Sequence, residues 1–207
     1  YGLENIKTNN RAHPDWNLYL GRPENRNHPI SSTVSFIAHS FKTIPYTHVD
    51  SPYLAIASYL FDNLTLHPLI REQGGAYGGG STSYGNYGYF SFHSYRDPHV
   101  KSTLDAFRES INEVIKGNFE EEDLTEAKLE LMQGLDSPVS PGSRAQLAFG
   151  WLKEGRSDQI RETNRNRALA ATKDNIIHAV EEHIAKNYDK GSTVVFGPEE
   201  LIREVKI

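Results

Sequence analysis

Seven of the chain's sixteen glycines fall in one stretch, GGAYGGGSTSYGNYG, residues 74–88, with tyrosines threaded between them. Glycine ends helices and permits backbone conformations that other residues avoid. This stretch therefore divides the chain: a helix arriving from the N-terminal side must stop at Gly74–Gly75. It also sets the functional question. So much permissive backbone stands beside one arginine, Arg71, and one tyrosine, Tyr77.

The segments around it read clearly. Residues 31–41, SSTVSFIAHSF, are rich in β-branched and aromatic side chains and predict a strand. Ser51 is a good N-cap and Pro52 suits the first helical position. Leu54, Ala57, Phe61 and Leu64 then keep helical spacing. Pro68 starts one more short turn, which places Arg71 near a helix end and Tyr77 in a glycine loop. Tyr87 to Tyr95 predicts a strand with Tyr87, Tyr89, Ser91, His93 and Tyr95 on one face and Phe90 and Phe92 on the other. A long helix follows with Val100, Leu104, Phe107, Ile111 and Val114 as its stripe, and a second over Glu120–Leu135 uses Leu124, Ala127, Leu131 and Leu135. After the break DSPVSPGS, helices are expected near 143–154, 157–169 and 172–187, and a buried strand near 191–197. Residues 1–30, rich in Asn, Arg, Pro and His, read as an irregular arm or inter-domain connection, and 31–207 as the folded domain. This order is not strict βαβ alternation. It predicts an α+β fold, a mostly antiparallel sheet with helices packed on one face.

Bulk properties exclude several classes. A length of 207 residues fits one domain, with or without an arm. The net charge of -5 and pI near 6.0 argue against a nucleic-acid partner. A mean hydropathy of -0.59 and the lack of a long apolar run predict a soluble chain without a membrane partner. The absence of cysteine removes disulfides, thiol nucleophiles and thiolate metal sites. No signal peptide is visible, and the single methionine is Met132, so the chain reads as a processed or excised piece of something longer.

Motif by motif, most chemistry drops out. Gly74 to Gly79 has Walker spacing, but Gly80 stands where lysine is required, and Ser83 stands where a dinucleotide fingerprint needs its third glycine. HAVEEH sets His178 and His183 five residues apart, about 140° around a regular helix, so they cannot close on one ion. His48 and the other scattered histidines read as structural. No G-x-S-x-G elbow exists. Arg156, Arg161, Arg165 and Arg167 alternate with acids, as on a salt-bridged exposed helix. On local pattern, Arg71 and Tyr77 leave two readings open. One is a glycine loop with a stray tyrosine. In the other, a forked donor and a neutral hydroxyl are suited to carbonyl oxygens and a developing oxyanion, and a nearby flat strand could pair with an extended peptide.

The succession REQGGAYGGG, a short strand pair, SYRDP opening a long helix, and DSPVSPGS between helices resembles the C-terminal domain of the presequence-protease subfamily of pitrilysin/insulinase-type zinc metallopeptidases. That resemblance, which runs from about Ser31 to the C-terminus, implies a clamshell enzyme of four similar domains. An N-terminal domain carries H-x-x-E-H and the zinc, and the C-terminal domain supplies Arg and Tyr across the chamber. Mapped here, it implies that Tyr77 donates to the tetrahedral intermediate or scissile carbonyl, and that Arg71 holds substrate backbone or orients the loop. Gly74, Gly75, Ala76, Gly78 and Gly79 would let the peptide approach. This chain contains no H-x-x-E-H. The resemblance therefore implies zinc bound by another domain and none here, inactivity alone, an unstructured peptide as substrate and the zinc-bearing N-terminal half as partner. The alternative is a non-catalytic peptide-binding or assembly subunit. The compartment implied is the mitochondrial matrix or a plastid for a eukaryotic chain, and the bacterial cytoplasm or periplasm otherwise.

Overall fold

The computed structural model describes residues 24–205. Five strands are formed: β1 Arg26–Pro29, β2 Ser35–Lys42, β3 Gly78–Tyr84, β4 Tyr89–Asp97 and β5 Ser192–Gly197. They make one sheet in the order β1-β5-β2-β4-β3, antiparallel throughout except where β1 runs parallel to β5. The α+β, mostly antiparallel architecture expected from the sequence is what the chain builds.

One face of the sheet is covered by helices. In β2, Ser35, Ile37, His39 and Phe41 are buried while Phe36, Ala38 and Ser40 are only half-buried, the period of two that a one-sided core imposes. Phe41, Phe90 and Phe92 from the sheet meet Phe61 and Phe107 from helices, with ring centroids 5.2–6.3 Å apart. Around this aromatic centre pack Leu54, Ile56, Ile111, Val180 and Ile184, all buried. Removing one such phenylalanine costs about 3–5 kcal/mol.

The helices are α1 Ser51–Phe61, α2 Lys101–Ile115, α3 Glu121–Leu135, α4 Arg144–Lys153, α5 Asp158–Leu169, α6 Lys173–Val180, α7 Lys186–Tyr188 and α8 Glu199–Arg203. Two stretches between them are π-helical: Asp62–Gln73 continues α1, and Glu181–Ala185 joins α6 to α7. Glu120 and Asp123 close a capping box at the start of α3, and Thr172 and Asn175 do so at α6. Among the described residues no helix is long and apolar enough to cross a membrane.

Several expectations change. Asp50, not Ser51, is the N-cap of α1, and Ser51 is its first residue. Pro68 does not open a separate turn. The helix passes through it in the wider π register, which absorbs the missing N–H. The glycine segment is not a loop, because Gly78–Tyr84 pairs with β4 residue by residue. Strand β4 begins at Tyr89 rather than Tyr87, since Gly88 adopts φ 68° and donates to the Tyr84 carbonyl at 2.9 Å to close the hairpin. In α3 the inward position expected for Leu135 is taken by Met132. His183 is half-buried. The irregular arm was expected to reach residue 30, but Arg26–Pro29 are a strand; residues 1–23 lie outside the described residues. The arginine cluster is ion-paired but not an exposed helix face: Arg156 pairs with Glu154 ahead of α5, Arg161 pairs with Asp158, Arg165 grips Asp136 at the end of α3 with two bonds of 2.7 Å, and all four arginines are half-buried.

Candidate functional site

All seven residues singled out in the sequence lie on one reversal, from the end of the long helical rod into the edge strand β3. Arg71 occupies the last helical turn and is exposed. Its carbonyl accepts the Gly74 and Gly75 N–H groups, and Ile70 O accepts the Ala76 N–H at 3.0 Å. That last bond folds the segment carrying Tyr77 back beside the segment carrying Arg71.

The glycines have separate causes. A Cβ on Gly74 would stand 2.6 Å from the Ile70 carbonyl oxygen, so the helix could not close there. Gly75 has φ 75°, the left-handed region. Gly79 is crowded by Ile70 and the His93 carbonyl, and Gly80 by the Asp62 carboxylate at 2.8 Å. Gly78 differs, because its nearest neighbour is Tyr95 Cβ at 3.9 Å. Four of the five glycines at 74–80 thus answer to the fold itself, and Gly78 alone has neither a crowded Cβ position nor a left-handed backbone. Ala76, grouped with the substrate-contacting residues in the sequence, has its side chain in the core.

Tyr77 is 74% exposed. Its ring meets Tyr95 edge-on at 6.0 Å, and Tyr95 meets Phe36 at 5.3 Å, so an aromatic row runs from the residue before β3 across β4 to β2. Among the described residues neither the Tyr77 hydroxyl nor the Arg71 guanidinium has a hydrogen-bond or ion-pair partner. The backbone beneath Tyr77 is fixed by the SYRDP motif. Arg96 is the extra residue of a bulge against β2, with φ 51°, and its carbonyl accepts the Tyr77 N–H at 3.3 Å. Asp97 is buried and accepts from Thr103 Oγ1 at 2.7 Å and the His99 N–H at 2.8 Å. Ser35 Oγ donates to the Asp97 and His99 carbonyls.

Strand β3 is the sheet's edge, with β4 as its one strand partner among the described residues. Its free side is not wholly open. Asp62 Oδ1 accepts the Ser81 N–H at 2.7 Å and Ser81 Oγ at 2.9 Å, so that amide is occupied from the helix side. Burial pushes the Asp62 carboxyl up to about 7 in spite of these donors. Toward Tyr77, no such side-chain grip is made on β3 among the described residues. Sequence reasoning missed Asp62 and Ser81; they are 19 residues apart and carry no motif.

Residues 31–196 match the family model described as PreP C-terminal domain. The chain belongs to this family. The presequence protease of zebrafish (Danio rerio), described as mitochondrial, is 36% identical over 172 residues, which are 83% of this chain and 16% of the relative. The presequence protease of Kluyveromyces lactis, also described as mitochondrial, is 38% identical over 173 residues, 80% of this chain and 16% of the relative. The chain thus spans about a sixth of the length of these relatives. Among solved structures, the peptidase M16 inactive domain from Pseudomonas fluorescens is similar at a TM-score of 0.68 and 20% identity, covering 86% of this chain and 43% of that one. Pitrilysin is similar at 0.61 and 14% identity, covering 84% and 19%. These likenesses establish the pitrilysin-type fold of a PreP C-terminal domain, and the reversal carrying Arg71 and Tyr77 lies inside the matched span.

Proposed function

We propose that this chain is the substrate-side domain of a zinc metalloendopeptidase that degrades unstructured peptides, cleaved targeting sequences among them. The observation that carries this reading is Tyr77: an exposed, unengaged hydroxyl on a backbone held from two sides, beside the open end of an edge strand, in a chain of the PreP C-terminal domain family. The donors at this reversal are a phenol and a guanidinium. They do not fit zinc, so the metal belongs to a zinc-bearing N-terminal half, and the chain alone is inactive. The names of its relatives favour a mitochondrial compartment.

Each residue then has a role its chemistry allows. An extended peptide adds to β3 at Gly78–Gly79, where Gly78 offers room for close approach. Arg71 donates to peptide carbonyl oxygens from the helix end. Tyr77 donates its hydroxyl proton in a hydrogen bond to the oxygen on which charge develops. In the complete enzyme, Tyr77→Phe keeps the ring contact with Tyr95 and loses only the donor. Turnover is expected to fall about 10²–10³-fold with the melting temperature unchanged. Peptide affinity with undiminished turnover in that variant would remove the catalytic role and leave a peptide-binding module of the same fold.

A further inference from the structure

His48, Asp50 and His183 lie far apart in sequence and side by side in the fold. The first two stand on the turn that opens α1; the third stands on the π-helical link Glu181–Ala185. One carboxylate oxygen, Asp50 Oδ2, lies 2.9 Å from His183 Nε2 and 3.8 Å from His48 Nδ1. The two rings are 5.1 Å apart at 76°, and one donor atom from each of the three residues falls within a 4.8 Å cluster. The side chains are 37%, 19% and 18% exposed, shielded but reachable. His183 also lines a groove of about 810 Å³ with Tyr87, Tyr89 and Lys190.

We propose that these three side chains form a binding site for a first-row divalent transition metal, of which Zn²⁺ is the natural case. Two imidazoles and one carboxylate are the donors such ions prefer, whereas Mg²⁺ and Ca²⁺ take oxygen sets. With bonds of about 2.0–2.1 Å, tetrahedral donors sit roughly 3.3 Å apart. The 2.9 Å pair must open and the 3.8 Å pair must close by about half an ångström each, and the two imidazole donors, within 4.8 Å of one another, must close by up to about 1.5 Å, which rotation of the His48 side chain supplies. Three protein donors leave the fourth position for water. An Asp50–His183 hydrogen bond could serve structure by itself. It does not involve the second imidazole, whose Nδ1 lies 3.8 Å from the same carboxylate and accepts the Asp50 N–H at 3.1 Å, a bond that the metal replaces on binding. Metal here joins the start of α1 to the last long helix.

Titration of the full 207-residue chain with Co²⁺, followed by visible absorption and metal analysis after desalting, tests the site. The expected result is one retained Co²⁺ per chain, intense d–d bands of a four-coordinate ion, displacement by Zn²⁺ and a raised melting temperature. His48→Gln and His183→Gln should each lose the bound equivalent with circular dichroism unchanged, and His67→Gln should keep it. No retained ion on the native chain overturns the site, and this holds even if the variants fail to fold. So does an ion that survives in the His48→Gln/His183→Gln double variant.

Discussion

Asp62 holds the edge of the sheet: one carboxylate oxygen accepts both the backbone N–H and the hydroxyl of Ser81, at 2.7 and 2.9 Å. The Ser58 carbonyl, 3.1 Å from the same hydroxyl, is a second acceptor for its one proton. The helix thus grips β3 at its middle, and the grip depends on a carboxyl whose charge is opposed by burial.

That opposition gives stability a pH slope. The Asp62 carboxyl titrates near 7 in the fold, against an ordinary 3.8. Between these values the folded chain binds the proton and the unfolded chain does not, so stability falls as pH rises from about 4 to 7 and is flat outside that window. The full shift corresponds to on the order of 4 kcal/mol. Asp62→Asn keeps an oxygen acceptor for Ser81 and cannot ionise. Urea denaturation should find the variant equal to the parent near pH 4 and more stable at pH 8. Identical slopes in both proteins would mean that the two donors at Ser81 outweigh burial.

Gly75 and Gly78 should part company. Alanine at Gly75 is strained by φ 75°, and a loss of about 1–2 kcal/mol is expected. Alanine at Gly78 meets only ordinary contact, so stability should move by less than about 0.5 kcal/mol. In the complete enzyme Gly78→Ala should nevertheless raise KM, because its methyl occupies the space over β3. An unchanged KM would remove Gly78 from the peptide path.

Asp97→Ala strips the buried Thr103 Oγ1 and the part-buried His99 N–H of their acceptor. A loss of about 2–3 kcal/mol is expected in chemical denaturation. The bulge at Arg96 is the neighbour of this carboxylate and supports Tyr77, so turnover of the complete enzyme should fall as well. Stability lost without turnover would show that the bulge holds its shape unaided.

What could be read from the sequence followed from local spacing. Leu104, Phe107, Ile111 and Val114 declare α2, and alternating Phe90 and Phe92 declare β4, because each pattern is complete within a few turns or residues. The position of Arg71 at a helix end came from the glycines after it. Strand β3 could not be read this way. Gly78, Gly79 and Gly80 lack the side chains by which strands are recognised, and only the pairing with β4 and the bond to Asp62 make the segment extended. His48 and His183 are joined by tertiary packing across 135 residues, a distance over which no spacing rule operates.

Strand β1 carries a practical consequence for where this unit starts. Its residues Arg26–Pro29 precede the span matched by the family, yet they cover the outer side of β5. The Asn25 side chain accepts the Thr193 N–H, Glu24 O accepts the Ser192 hydroxyl, and His28 stacks on Phe196 at 4.6 Å. A shortened chain beginning at residue 31 would leave β5 as a bare edge with Phe196 uncovered, an open template for other strands. For expression, crystallisation or domain transplantation, the physical unit begins no later than Glu24.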